Sequence, residues 1–406
     1  MSSAATSPAA ASAPPAVLGG VPAFAQPIYV TRPRIPSPER FNALMSEVFA
    51  ARWFTNDGAQ VRALERALAE RLDVPFCTAF CNGTVALQVA LRSLDLRGEV
   101  ITTPFTFPAT VHAIEWNGLT PVFCDIDPHS YNLDPLRAAE LVTPRTSAIL
   151  AVHVFGNPCD VAALDELAGA HGLRLLYDAA HAFGVRHRGR PIGAFGDLSI
   201  LSFHATKLFH TAEGGAVVGP HAAMATSIAL LRNFGIVNEN EVRGVGLNGK
   251  LSELHGALGR ALLDDLDEEL AARARLAARY AEGLAEIDGL AFQRSAPATE
   301  PNHAYCTIEV DAERFGLSRD ELHAALLAEQ VITRKYFHPL CSENVAYRHL
   351  PSADPSRLPN ACRVAQRVLC LPLYGELPAP AVDRIVDRIR ALRAAAPRVR
   401  AALRSV

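Results

Sequence analysis

Lysine is nearly absent from this chain: Lys207, Lys250 and Lys335 are the only three in 406 residues, and arginine supplies the rest of the 39 basic side chains. Arginine can deliver a fixed positive charge, but only an amine can lose its proton and attack a carbonyl. Each surviving lysine is therefore a candidate for chemistry that guanidinium cannot perform. Excess charge is also missing; the net value is −3, which gives no ground for a nucleic-acid or membrane-surface partner. No uninterrupted apolar run approaches the roughly 20 residues of a membrane helix. The eight cysteines contain no CxxC pair and no regular spacing. That argues against a disulfide framework or a zinc site, predicts no bound metal, and suits the reduced cytoplasm.

The opening of the chain lacks the charge and the apolar continuity of a secretory signal. No Lys or Arg precedes Ala23-Phe24-Ala25, and Pro and Gly interrupt the region before it. Residues 1–16 read as a disordered Ala/Ser/Pro tail. Beyond it the chain exceeds the roughly 250–300 residues that one core organises, which predicts a large domain and a smaller one. Apolar residues at helical spacing occur at 41–49 and 61–72. From Cys77 onward the periods alternate: helix 84–94, strand 100–103, helix 109–116, strand 122–126, strand 148–153, helix 161–171, strand 173–178. Such alternation predicts an α/β fold with a mostly parallel central sheet flanked by helices. Strands 198–203 and 216–218 complete it, followed by a helix at 221–233. A continuous linking helix is expected over 251–290, and a smaller α+β domain over 291–406 holds strand 305–310, helix 318–330, strand 368–373 and helix 379–395.

Lys207 sits in the most informative stretch, Ser-Phe-His-Ala-Thr-Lys-Leu-Phe-His-Thr-Ala-Glu-Gly-Gly, residues 202–215. An apolar run leads into Ser202, His204 and Thr206, and Gly214-Gly215 precede a second apolar run, so the amine falls at the tip of a polar loop between two strands. In an open parallel sheet, ligands bind beyond the carboxyl ends of the strands, and other residues fall at those ends. Gly83 and Thr84 open a helix whose first N–H groups suit an anion such as phosphate. Phe107 follows a strand and offers a flat ring for stacking. Asp178 ends a buried apolar run, where a carboxylate requires a partner such as a protonated ring nitrogen; His181 lies three residues on. A phosphate cradle, an aromatic plate, an acid and an amine together match the needs of pyridoxal 5′-phosphate.

With those motifs in place, the chain resembles the DegT/StrS-type sugar aminotransferases, which are fold-type-I (aspartate-aminotransferase-like) pyridoxal-phosphate enzymes. The likeness runs from about residue 17 to 389. It rests on Cys-Asn-Gly-Thr at 81–84, His-Val-Phe-Gly-Asn-Pro-Cys-Asp at 153–160, Tyr-Asp-Ala-Ala-His-Ala-Phe-Gly at 177–184, the Lys207 stretch, Gly-Leu-Asn-Gly-Lys-Leu-Ser-Glu at 246–253, and residues 103–110 and 333–340. The resemblance implies Lys207 as the Schiff-base lysine and Asp178 as partner of the ring nitrogen. It places Gly83, Thr84 and Ser202 at the phosphate, Phe107 over the ring, and His181 near the phenolic oxygen. It also implies a homodimer with shared active sites, in which Asn248, assisted by Lys250, reaches the neighbouring subunit's phosphate. Asn82 departs from the family, where Ser is more usual. Arg243 and His338 are candidates for the substrate pocket.

The narrower likeness is to family members that aminate C4 of dTDP-4-keto-6-deoxyglucose, which implies L-glutamate as donor and dTDP-4-amino-4,6-dideoxyglucose as product. Amination at C3 of a 3-keto sugar uses the same scaffold and stays open at this point, as does a non-catalytic protein of the same fold. Dehydratases of this fold replace the lysine with His, and Lys207 is present. The division expected from the likeness is an arm plus large cofactor-binding domain at 17–250, the linking helix, and the small domain.

Overall fold

The computed structural model describes residues 14–404. Its centre is a seven-stranded sheet made of β1 (Phe76–Phe80), β2 (Glu99–Thr102), β3 (Thr120–Phe123), β4 (Thr146–Val152), β5 (Arg174–Asp178), β6 (Leu198–Ser202) and β7 (Gly215–Gly219). The order across the sheet is β1-β7-β6-β5-β4-β2-β3. β3, β2, β4, β5 and β6 pair in parallel, whereas β7 runs antiparallel to both of its neighbours. Parallel strands need crossover connections, and helices at Gly83–Ser93, Pro108–Trp116 and Val161–His171 provide them. Covered on both faces, the central strands are buried almost without interruption. This is the α/β fold expected from the alternating periods.

β1 has no counterpart among the expected strands. Its sequence, Phe-Cys-Thr-Ala-Phe, is buried at all five positions, so it carries no polar/apolar alternation to mark it as a strand. The expected linking helix is two helices, Glu253–Leu263 and Leu266–Leu284. The break falls at Asp264-Asp265, with Asp267, Glu268 and Glu269 filling the first turn of the second helix. Acidic side chains favour a helix start over a helix interior.

A second core lies at the carboxyl side of the chain, built from buried residues between Leu276 and Val399. Its sheet is antiparallel, Leu290–Phe292 against Cys306–Val310 against Val368–Leu371. The amino-terminal arm packs here: Val17, Leu18, Phe24 and Ile28 rest on this core. Further along the arm, Thr31 Oγ1 donates to Thr206 O (3.2 Å) and Arg34 O accepts from His210 Nε2 (2.9 Å). Of the expected tail, residues 1–13 lie outside the described residues. Pro14–Ala16 are ordered, because Ala16 N–H donates to Glu329 Oε1 and Ala23 N–H to Glu329 Oε2, both at 2.8 Å. Glu329 is fully buried, so those two donors satisfy a carboxylate that would otherwise be costly.

Candidate active site

The register of the sheet brings several strand ends to one level: Val152 pairs with Asp178, and Asp178 with Ile200. Above them lies a cavity of about 270 Å³. Gly83, Thr84, Phe107, Asp178, His181, Ser202 and Lys207 all line it, so seven residues singled out from sequence share one cavity.

Lys207 reaches the cavity on a loop that folds back on itself, with Phe203 N–H donating to Gly214 O (2.8 Å) and Ala205 N–H to Ala212 O (2.7 Å). Leu208 and Phe209 anchor the loop in the core, where Phe209 stacks on Phe183 at 4.9 Å. The Lys207 residue keeps part of its surface open to the cavity, but protein atoms crowd its amine. That burial lowers its pKa to about 8 against the opposing pull of Asp178 and Tyr336. Lys207 Nζ lies 3.3 Å from Tyr305 Oη. A lysine that gives up its proton near neutrality is fit to act as a nucleophile and a base.

Asp178 is 5% exposed. Its Oδ2 accepts from Thr110 Oγ1 (2.7 Å) and its Oδ1 from Ala180 N–H (3.0 Å). Burial raises its pKa, while Thr110, Ala180 and Lys207 act in the other direction. His181 is held far below its usual pKa, first by burial and then by Lys207, and so stays neutral. Its Nδ1 accepts the Phe155 N–H at 3.2 Å, which leaves the proton on Nε2. The His181, Phe155 and Phe337 rings are parallel within 5°.

The anion cradle is built by close backbone approach. Asn82 caps the helix Gly83–Ser93 by accepting Val85 N–H (2.8 Å), which explains how Asn serves where Ser is more usual. The Gly83 and Thr84 N–H groups have no partner inside their own helix. A Cβ at Gly83 would lie 3.2 Å from Ser202 Cβ, and one at Gly215 would lie 2.6 Å from Gly83 N. Gly215 thus needs glycine for β7 and the helix start to meet, and Gly83 leaves little room beside Ser202 of β6. The amine, the buried acid, the neutral histidine and the cradle thus fit pyridoxal 5′-phosphate in both size and chemistry.

Four expected residues lie elsewhere. Asn248 is exposed, bridged to Asn233. Lys250 donates to Asn233 Oδ1 (3.1 Å) and sits 4.7 Å over the Phe234 ring. Arg243 is exposed and paired with Glu241, and His338 is exposed. Within this chain none of the four lines the cavity. Conversely, Thr106, Thr110, Tyr305 and Tyr336 are site residues that sequence reasoning missed. Tyr336 lies inside one of the motifs, but Tyr305 belongs to the C-terminal unit and is brought in only by folding.

A lysine on the loop after a parallel strand, an acid at a neighbouring strand end and a helix-start anion cradle define an aspartate-aminotransferase-like enzyme. The chain belongs to the DegT/DnrJ/EryC1/StrS aminotransferase family, whose model matches residues 37–390, and it is a sugar aminotransferase. It is 40% identical over 368 residues to the dTDP-4-amino-4,6-dideoxy-D-glucose transaminase of Shigella dysenteriae, covering 91% of this chain and all of that one. To the Escherichia coli enzyme of the same name it is 39% identical over 361 residues, covering 88% and 96%. Among solved structures, it is similar to DesI crystallised in the presence of its TDP-sugar product, with a TM-score of 0.91, 40% identity and coverage of 96% and 98%.

Proposed function

We propose that this enzyme moves an amino group from L-glutamate to C4 of dTDP-4-keto-6-deoxy-D-glucose, giving dTDP-4-amino-4,6-dideoxy-D-glucose and 2-oxoglutarate, with pyridoxal 5′-phosphate as cofactor. The observation that carries the chemistry is the pairing, in one cavity, of a lysine whose pKa falls to about 8 with a buried carboxylate. The substrate rests on the two transaminases and on DesI. The cofactor supplies the carbonyl that carries the amino group and the ring that absorbs electrons from the reacting carbon. Lys207 Nζ holds the cofactor at rest and, once freed, carries the proton to and from the reacting carbon. Asp178 would keep a proton on the ring nitrogen, His181 Nε2–H would donate to the phenolic oxygen, and Gly83, Thr84 and Ser202 would bind the phosphate. Phe107, 59% exposed in the cavity lining, would cover the ring.

The working unit in this reading is a homodimer. Two observations support it. The cavity lining contains no arginine, although phosphate and a nucleotide sugar both bring negative charge. The segment bearing Asn248 and Lys250 is surrounded by exposed apolar side chains, among them Phe234, Val242 and Val245 at 46%, 65% and 80%. Burying that face against a second copy would place Asn248 and Lys250 at the neighbouring phosphate, with Arg243 and His338 as candidates for the sugar nucleotide. Residence in the cytoplasm is supported by eight free cysteines. No helix among the described residues is long and apolar enough to cross a membrane. One core built from residues up to Leu266 and another built from Leu276 onward support a large and a small domain, joined by a third cluster that packs Phe105 and Phe155 against Phe337 and Leu340.

The test is purified protein with pyridoxal phosphate and glutamate, offered the 4-keto sugar and separately the 3-keto isomer, with products identified by NMR. An amine at C4, absent with Lys207→Ala, is expected. Turnover of the 3-keto sugar alone would move the reaction to C3, and turnover of neither would overturn the substrate assignment.

A further inference from the structure

From the cavity lining a short chain of hydroxyls runs to Asp178. Thr106 and Thr110, 2% and 0% exposed, place their Oγ1 atoms 2.8 Å apart, and Thr110 Oγ1 stands 2.7 Å from Asp178 Oδ2. We propose that this pair is a proton-ordering relay, Thr106 to Thr110 to Asp178, and that Thr110 is a positioning residue whose hydroxyl holds Asp178 as the anion. The inference rests on the cofactor reading above, because its consequence is the protonation of the ring nitrogen that Asp178 serves.

The direction of the relay follows from what each group can donate. Asp178 Oδ1 already accepts the Ala180 N–H, an obligate donor. If Thr106 donates to Thr110 and Thr110 to Oδ2, both hydroxyl hydrogens are used and the series ends on a carboxylate. In the reverse order, a protonated Asp178 donates to Thr110 and Thr110 to Thr106. The Thr106 hydrogen then loses Thr110 as its acceptor and, on a residue 2% exposed in the cavity lining, must find another there, which is unfavourable. The wiring thus selects the anion, against the burial that pushes the acid the other way. A carboxylate hydrogen bond also fixes direction: with Oδ2 tied to Thr110 and Oδ1 to Ala180, the carboxyl plane cannot rotate, and the lone pairs left over face the cavity. The relay depends on where Thr110 sits. It lies in the first turn of the helix Pro108–Trp116, so one helix start carries Phe107 at the cavity rim and the hydroxyl behind the acid.

The discriminating measurement is the ¹⁵N chemical shift of the ring nitrogen in enzyme loaded with ¹⁵N-labelled pyridoxal phosphate, with kcat and KM alongside. In Thr110→Val, which keeps the shape and removes the hydroxyl, the ring-nitrogen shift is expected to move toward the unprotonated value. kcat should fall about tenfold to a hundredfold, the range for one hydrogen bond to a charged group, with KM little changed. Thr110→Ser should restore the wild-type shift, and Thr106→Val should move it in the same direction by less. An unchanged ring-nitrogen shift in Thr110→Val overturns the relay, even if activity falls, because a packing fault alone would do that. If Thr110→Val does not fold, the comparison of Thr106→Val with wild type decides on the same readout. Wild-type protein that takes up no pyridoxal phosphate would instead overturn the cofactor reading beneath it.

Discussion

Gly215→Ala should damage the anion cradle selectively. The added Cβ would stand 2.6 Å from Gly83 N and 2.7 Å from Asn82 C and Gly83 Cα. Ordinary contact begins near 3.4 Å, so the two backbones must part by about 0.8 Å. No flexible side chain is available to absorb this. Gly215 is paired to Phe80 on one side and Ser202 on the other, and Gly83 begins a helix, so the strain of about 1–3 kcal/mol expected of overpacking falls on the cradle. A shift of that size stretches an N–H···O bond from about 2.9 Å to beyond 3.5 Å, where it no longer counts as one. Losing such a bond to a charged phosphate weakens binding about tenfold to a hundredfold. The assay titrates apoprotein with pyridoxal phosphate and, separately, with pyridoxal, following the visible absorption of each. Only the phosphate-bearing ligand should lose affinity. Equal losses for both would refute the cradle, and no loss would show that the close approach relaxes without moving Gly83.

Other perturbations test the rest of the site. Because Lys207 is lowered to about 8 and an ordinary lysine titrates near 10.5, its labelling by an amine reagent in apoprotein should rise through pH 8. With only two other lysines, peptide mass spectrometry reads it cleanly; onset above pH 10 would contradict the burial argument. Asp178→Asn removes the carboxylate that raises that pKa, so the onset should move to lower pH, and a shift upward would refute the coupling. Asn302 donates to the carbonyls of His181 and Phe183 at 2.9 Å each. Asn302→Ala should therefore cost about 1–3 kcal/mol per orphaned carbonyl, read as a lower thermal midpoint. Val245→Asp places a charge on the exposed apolar face and should shift sedimentation toward the monomer while weakening cofactor binding; an unaltered dimer would exclude that face as the interface.

Much of the site was legible because parallel sheets put their chemistry at strand ends. Asp178 and Ser202 each follow an apolar run, so a buried-strand reading finds their position and residue type finds their role, while Gly83-Thr84 was legible as a helix start. Lys207 was legible for a different reason, the scarcity of its kind. β1 was not, since a strand buried on both faces lacks periodicity. The break at Asp264-Asp265 was hidden inside an unbroken Ala/Leu/Glu composition. Thr110 was present in a quoted motif, but a threonine one turn into a helix looks like any other until its distance to Asp178 is known. Tyr305 stands 98 residues from Lys207, and local pattern carries no information about such a meeting.

The arm clasped by Glu329 also sets an order of events during synthesis. Ala16 and its acceptor are 313 residues apart, so the arm is made well before the residue that receives it. At about 5–20 residues per second, it waits on the order of 15 to 60 s before the surface that receives it has been made. Throughout that interval Val17, Leu18, Phe24 and Ile28 have no core to join. Capture of the segment from Ala16 to Ile28 is thus a late step in building this enzyme, and a chaperone that shields that segment would act on it.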